Sequence, residues 1–360
     1  MTTFQLISSG DAVLQVGGVA AAPSVPVRIR DRHGLAGGES PLANESLAPP
    51  REDFPLLARP APGCASQSLK DWAANARRLL DERLDEVGAV LLRGLPLSTP
   101  AEFSDFFRAL GYEEVPYAGF ATRQEIAPGV FTGNTRNPSQ AIMLHNDMSH
   151  DRQMPRHIFL YCATPAPPGA GGETPIARSV DWKQALGSEL WERIAQRGFL
   201  RITNSPNRGD PGKTSVSWQD RYRTEDRETA EEICLELGDR VQWEDDGSLT
   251  TWRNMAALKE HNGELLWCCT PQSTRPVSSL ELRYGDGEAL EAEVLERIRA
   301  VQWNISVAFE WQQGDVLCLD NIGCQHARMP FDEEADREVL VSLATPEPGT
   351  CETPDPVARG

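Results

Sequence analysis

The stretch Met143-Leu144-His145-Asn146-Asp147-Met148-Ser149-His150 puts an imidazole and a carboxylate two residues apart inside an otherwise apolar run. Alternate side chains of a β-strand project from one face, so a strand here predicts that His145 and Asp147 reach a single ion together. On its own, such a pair is equally what a solvated edge strand carries. Its weight comes from what the rest of the chain must then deliver, a third ligand brought onto the same point from a distant segment.

A redox-active ferrous site commonly takes two histidines and one carboxylate on one face and leaves the opposite positions open. The histidines are His33, His145, His150, His157, His261 and His326. His150 is an odd step from His145 (150 − 145 = 5) and on a continuous strand faces the other way, which predicts a hydrogen-bonding place near the site mouth. His157 reads as a loop anchor, His261 as part of the polar turn His261-Asn262-Gly263, and His33 as part of an irregular N-terminal arm. His326 is different, because the turn at Gly314, the apolar run Val316 to Leu319 and a second short segment deliver it late in the chain. Arg337 follows (337 − 326 = 11) and opens the β-rich run Val339 to Leu343. A guanidinium fork matches a carboxylate bidentately, so Arg337 is placed to hold the far carboxylate of a keto-diacid whose other end chelates the metal.

His145-x-Asp147, His326 and Arg337, joined in order by Gly171-Gly172-Glu173-Thr174-Pro175, resemble the Fe(II)/2-oxoglutarate-dependent oxygenases of the taurine dioxygenase (TauD/TfdA) family. The likeness runs from about Phe54 to Ala344. The wording His-Asn-Asp-Met-Ser, followed by Pro165-Ala166-Pro167, is most similar to the SyrP-like hydroxylases of natural-product pathways. The resemblance implies that His145, Asp147 and His326 bind Fe(II) and that Thr174 and Arg337 bind 2-oxoglutarate, with Arg328 as the alternative to Arg337 and O2 as cosubstrate. It sets the segment holding Arg123, Asn134 and Thr135 beside the substrate. His150, Arg275 and Arg328 are further candidates for substrate contact.

The implied reaction is oxidation, most simply hydroxylation, of an unactivated C–H bond in an amino acid or amino-acid-derived substrate, free or carried on a peptidyl carrier protein. Desaturation, epoxidation and the degradation of a sulfonate or aryloxyalkanoate stay open, as does a non-catalytic metal-binding jelly roll. Related halogenases have a small residue where this chain has Asp147, so chlorination is not expected.

Lys and Arg number 35 against 53 Asp and Glu, a net charge of −18, which speaks against nucleic-acid or anionic-membrane binding because both need basic surface. The eight cysteines include no Cys-x-x-Cys pair and the N-terminus has no basic-then-apolar leader pattern, so reduced thiols in the cytoplasm are expected. No apolar run approaches the roughly 20 residues of a membrane helix. Oligomeric state is not legible.

Residues 1–53 read as a partly ordered arm, with a possible hairpin between Phe4 to Ile7 and Ala12 to Val16. Residues 54–360 read as one oxygenase domain. Ser68-x-x-Asp71 predicts a capped helix closed by Gly88, and Thr99-Pro100-x-Glu102 predicts a second, ended by Gly111. Residues 117–137 read as loop and about 181–300 as an insertion. The insertion is expected to hold helices at 181–197 and at 225–237 (capped by Thr224), a hairpin across Asp245-Asp246-Gly247-Ser248, and a helix from about Gly287 to Trp303. Strands are expected at 306–311, 315–319 and 339–343. The fold class that follows is α+β, mainly β, with a double-stranded β-helix or jelly-roll core, flanking helices and a large insertion.

Overall fold

Two capped helices begin the ordered core. In the computed structural model, which describes residues 4–7, 28–30, 32, 35, 38, 40–48, 51, 53–63, 67–117, 123–133, 137–149, 154–210, 216–273 and 279–345, the helix Leu69–Val87 starts at a reciprocal cap. The Ser68 hydroxyl accepts from the Asp71 amide, and the Asp71 carboxylate accepts from the Ser68 amide. It stops at Gly88, whose φ of 77° lets its amide donate back to the Leu84 carbonyl and turns the chain straight into the strand Ala89–Leu92. The helix Pro100–Ala109 is capped in the same way by Thr99 and Glu102. Trp72, Leu80, Phe103, Phe106 and Phe107 from these helices pack on Phe159, Tyr161, Val316 and Cys318, with Phe103 stacked on Tyr161 at 4.6 Å.

What they cover is a nine-stranded sheet. Its order is Phe4–Ile7, Leu56–Pro60, Ala89–Leu92, Val316–Asp320, His157–Thr164, Glu338–Thr345, Val130–Thr132 and Glu125–Ala127, with Glu113–Glu114 also paired to Glu338–Thr345. Only Leu56–Pro60 with Ala89–Leu92 is parallel. The central strands are buried on both faces and accordingly read as continuous apolar runs. Their other face, through Leu57, Leu91, Ile158, Leu160, Leu317 and Val341, packs on Ile176 and Cys324 of a three-stranded sheet ordered Ile142–His145, Cys324–Arg328, Ile176–Arg178.

Arg93 and Asp315 form an ion pair inside this core, 2% and 0% exposed, with guanidinium nitrogens 2.9 and 2.6 Å from the two carboxylate oxygens. Arg93→Ala strands a buried carboxylate, and a loss of about 3–5 kcal/mol is expected, a thermal midpoint lower by roughly 5–10 °C in calorimetry. The apolar double replacement Arg93→Met with Asp315→Leu is expected to recover most of that loss.

The three-stranded sheet is backed on its far side by the segment 181–305. Trp182, Trp191, Trp267, Ile298 and Val301 enclose Leu144, Ala177 and Ala327, with Trp182 stacked on Trp267 at 4.6 Å. Ile29, Leu35, Ala43 and Leu47 of the N-terminal region pack with Met143, Trp303 and Met329. Among the described residues no helix is long and apolar enough to cross a membrane.

Several local expectations are corrected. The helix expected at 181–197 is two, Asp181–Leu186 and Ser188–Arg197, because Gly187 at φ 83° breaks the backbone between them. The helix Arg227–Glu236 takes its cap from Asp226, which accepts from the Thr229 amide, and not from Thr224. The last helix is Ala292–Ile305. Residues 306–311 are not a strand, although Val307 bridges to both Ala48 and Ile176. Phe4–Ile7 pairs with Leu56–Pro60, and Ala12 to Val16 lie outside the described residues. Residues 117–137 include two short strands, Glu125–Ala127 and Val130–Thr132.

Candidate metal centre

Register, not pleat, assembles the cluster. His326 lies directly across the antiparallel ladder from His145, their ring centroids 4.3 Å apart. The strand Ile142–His145 ends there, so Asp147 stands in a turn and not on the strand face that its spacing predicted. Met148 takes a left-handed φ of 54°, uncommon for a non-glycine residue. A buried amide network holds this turn. Asn321 accepts from the Asp147 amide at 2.9 Å and donates to the carbonyls of Asp147 and Pro155 at 2.8 Å. Asn146 donates to the Asn321 carbonyl and accepts from Gln325, which in turn accepts from the Trp182 indole. His145 Nε2 thereby comes to 3.4 Å from Asp147 Oδ1, and the ligand atoms of His145, Asp147 and His326 all lie within 4.8 Å of one another.

The protonation states suit a divalent cation. His145 Nδ1 is 2.9 Å from the Met143 carbonyl, which can only accept, so Nδ1 carries the proton and Nε2 the lone pair. Burial, reinforced by His145, pushes the His326 imidazole down to about 3 against the pull of Asp147, so it is neutral at ordinary pH. Its Nδ1 is buried with no hydrogen bond among the described residues. Burial would raise Asp147, but the Arg123 guanidinium beside it holds its carboxyl well below the usual range. Two imidazoles, one of them with a buried ring nitrogen lacking a hydrogen bond among the described residues, and one carboxylate are the donor set that Fe(II) takes. The residues fit the metal.

The cluster opens on a cavity of about 220 Å³ lined by Arg123, Ile142, Leu160, Thr174, Arg328, Phe331, Arg337 and neighbours on the strand from Glu338. Thr174 Oγ1 accepts from the Trp311 indole at 2.9 Å, which leaves the hydroxyl proton to donate elsewhere. Arg337 uses only Nε, donating to the Gly172 carbonyl at 2.9 Å, while its plane lies over the Phe331 ring. Its two Nη groups have no hydrogen bond among the described residues. Burial pushes Arg337 down to about 10, which leaves it cationic at neutral pH.

Arg328, the alternative, donates from Nη2 to the carbonyls of Asn137 and Gln140, both at 2.9 Å, and so braces a loop. Arg123 is placed at the metal ligands, with Nη2 at 3.2 and 3.4 Å from the Asp147 oxygens and its guanidinium over the Tyr117 ring. Asn134, Thr135, His150 and Arg275 lie outside the described residues.

The Gly-Gly-acid-Thr segment divides its work. Glu173 pairs with Arg32 of the N-terminal region at 2.9 Å, while Thr174 lines the cavity. Gly172 has φ 79°, and a Cβ there would sit 2.6 Å from Cδ and Nε of Arg337. Gly172→Ala is therefore expected to displace Arg337 and weaken 2-oxoglutarate binding about tenfold or more by titration calorimetry. Gly63→Ala shares the strained φ of 88° but meets nothing within 4 Å, and serves as the control that leaves binding intact.

Asn146, Asn321, Gln325 and Trp311 were not singled out from sequence. Asn146 lies between two candidate ligands, which is the one signal available for it. His157 packs edge-on against Tyr112 and Phe159 in the large sheet, and burial pushes it down to about 4. Asp85, His261 and Asp320 also lie within ligand distance of one another, but Arg156 already sits among them, 3.0 Å from Asp85 and 2.9 Å from His261. Arg156 makes that cluster an ion-pair network. All six described cysteines are buried free thiols.

The sequence model described as taurine catabolism dioxygenase TauD, TfdA family matches residues 55–343. A clavaminate synthase-like protein of Arabidopsis thaliana is 31% identical over 312 residues, covering 82% of this chain and 92% of that one. The dapdiamide synthesis protein DdaC of Enterobacter agglomerans is 30% identical over 289 residues, covering 74% and 85%. Among solved structures, PvcB of Pseudomonas aeruginosa superimposes with a TM-score of 0.49 at 16% identity, over 80% of this chain and 85% of that one.

Proposed function

The chain belongs to the TauD, TfdA family of iron- and 2-oxoglutarate-dependent oxygenases, and from that premise we propose that it hydroxylates an unactivated C–H bond of an amino acid or amino-acid-derived compound in natural-product synthesis. His145, Asp147 and His326 hold the iron, and Thr174 and Arg337 hold the 2-oxoglutarate. The observation that carries this reading is one cavity with a two-histidine, one-carboxylate cluster and a guanidinium whose fork is uncommitted. The similarity to DdaC, a dapdiamide synthesis protein, supports the natural-product setting. We read the nine-stranded and three-stranded sheets as the two halves of a double-stranded β-helix.

Iron, 2-oxoglutarate and O2 together supply the oxidising power that no side chain here has. The Met143 carbonyl fixes the His145 tautomer, so Nε2 faces the site without a proton to displace. Burial does the same for His326. Asp147 brings the negative charge, balanced by Arg123 until a cation takes it up. Arg337 holds a carboxylate tail, and the Thr174 hydroxyl proton donates beside it. Ile142, Leu160, Ala327, Leu340 and Val341 wall the cavity with apolar surface and limit water at the reacting centre. The intact carboxylate at 147 favours hydroxylation over halogenation.

The test is aerobic incubation with Fe(II), ascorbate and 2-oxoglutarate across a panel of amino acids, each free and loaded on a peptidyl carrier protein. Succinate release stimulated by one of them, with a product heavier by one oxygen atom, is the expected result. A product lighter by two hydrogens would instead indicate desaturation. Stimulation only by sulfonates or aryloxyalkanoates would overturn the proposed substrate class.

A further inference from the structure

The N-terminal region reaches the turn Gly171-Gly172-Glu173-Thr174 from outside the oxidation cavity. Thr174 and Arg337 line that cavity, whereas Arg32, Gly171 and Glu173 do not. A Cβ on Gly171, at φ 86°, would sit 3.0 Å from Nη2 of Arg32, and one on Gly172 would sit 2.6 Å from Arg337. Two consecutive glycines therefore admit two arginines against one turn, one from the N-terminal region and one from the cavity.

The backbone sets Arg32 in place. Its amide donates to the Ile29 carbonyl, and its own carbonyl accepts from the Leu35 amide. Ile29 and Leu35, 0% and 5% exposed, pack with Met143, Trp303 and Met329. The guanidinium thus projects from between two apolar anchors. It meets the buried Glu173 carboxylate as a fork, with Nη1 2.9 Å from Oε2 and Nη2 3.4 Å from Oε1.

The turn is tied to the end of the His326 strand by backbone bonds, from the Met329 amide to the Glu173 carbonyl and from the Gly172 amide to the Pro330 carbonyl. Arg32 adds a side-chain restraint at Glu173. A pair whose arginine is 24% exposed contributes little to global stability. What it does fix is Glu173, which stands between Gly172, whose carbonyl accepts from Arg337 Nε, and Thr174, whose hydroxyl faces the cavity.

We propose that Arg32 is a positioning residue for 2-oxoglutarate. By holding Glu173 it sets the Gly172 carbonyl, and with it the Arg337 fork, and it sets the Thr174 hydroxyl. The inference rests on the reading of Thr174 and Arg337 as the cosubstrate contacts. It gives the irregular N-terminal region a part in cosubstrate binding without contact to the metal ligands.

The Fe(II)-loaded full chain is titrated anaerobically with 2-oxoglutarate in a calorimeter, and each variant is also melted. Arg32→Met is expected to bind 2-oxoglutarate about tenfold more weakly, as loss of an outer partner of a ligand-holding group does. Its melting midpoint is expected to fall by only about 2 °C. Arg32→Lys keeps the charge and loses the fork, is expected to fall between, and decides the matter if the methionine variant fails to fold. Replacing both partners, Arg32→Met with Glu173→Met, leaves no unpaired carboxylate, so the midpoint is expected to return to that of the wild type while 2-oxoglutarate binding stays weak. Recovery of both in the double variant would reduce the pair to a structural contact and overturn the proposal. Equal 2-oxoglutarate affinity in wild type and the folded Arg32 variants would do the same. Arg337→Met in the same titration separates the two readings. If it binds 2-oxoglutarate as the wild type does, the cosubstrate reading fails; if it weakens binding and the Arg32 variants do not, the role of Arg32 alone fails.

Discussion

Asp147→Gly is expected to abolish substrate-stimulated succinate release, a loss of at least about 10³-fold or some 4 kcal/mol of transition-state stabilisation. The same change is expected to lower the stability of the metal-free protein. Asp147 and Arg123 face each other with side chains 8% and 6% exposed, and deleting the carboxylate leaves a buried guanidinium without its counter-charge, a cost of about 3 kcal/mol. Loss of activity could then reflect unfolding alone, and the double variant Arg123→Met with Asp147→Gly separates the two causes. It is expected to melt near the wild-type midpoint and still to be inactive. Adding Fe(II) anaerobically should raise the wild-type midpoint by mass action and leave both variants unmoved. Wild-type succinate release from Asp147→Gly would remove this residue from the ligand set.

The parts of this architecture that were legible are those written locally. Ser68 with Asp71 and Thr99 with Glu102 announce their helices because a cap is a contact between residues three apart. Where two residues two apart could each cap, as at Thr224 and Asp226, sequence had no means to choose. For His145 and Asp147, strand periodicity named two side chains that do approach, but the cause it gave was incorrect. A left-handed Met148 and the clamp from Asn321 bring them together, and Asn321 is more than 170 positions away (321 − 147 = 174).

Thr174 was reached through the family resemblance and Arg337 by its fork and its place after His326, but nothing in their spacing says that Gly172 must lack a Cβ to let the arginine pass. The N-terminal residues Ile29, Leu35, Ala43 and Leu47 have no period to read, yet they pack against Met143 on the His145 strand. The pairing of Arg32 with Glu173 joins residues 141 positions apart, which no single segment encodes.

Replacing Arg337 by methionine is the second large effect. Methionine keeps an aliphatic stem against Phe331 and removes a charged fork that bonds only the Gly172 carbonyl among the described residues. Losing one side of a buried charge-assisted pair costs about 2–5 kcal/mol, so KM for 2-oxoglutarate is expected to rise by roughly 30- to 5,000-fold. At saturating 2-oxoglutarate kcat should change far less, because the contact is to a tail that takes no part in bond breaking.

The direction with pH follows from burial, which lowers this guanidinium to about 10. The wild type binds a carboxylate tail through neutral pH and loses that affinity as pH climbs past about 10, where the cation is lost. Arg337→Lys keeps a charge without the fork, and burial lowers an ammonium whose unperturbed pKa is already lower, so its affinity should start weaker and fade at lower pH. Arg328→Met is the informative contrast. Arg328 lines the same cavity but spends Nη2 on the carbonyls of Asn137 and Gln140, so its loss should loosen that loop and lower kcat and thermal stability together. A selective rise in KM for 2-oxoglutarate in Arg328→Met, with Arg337→Met unchanged, would exchange the roles of the two arginines.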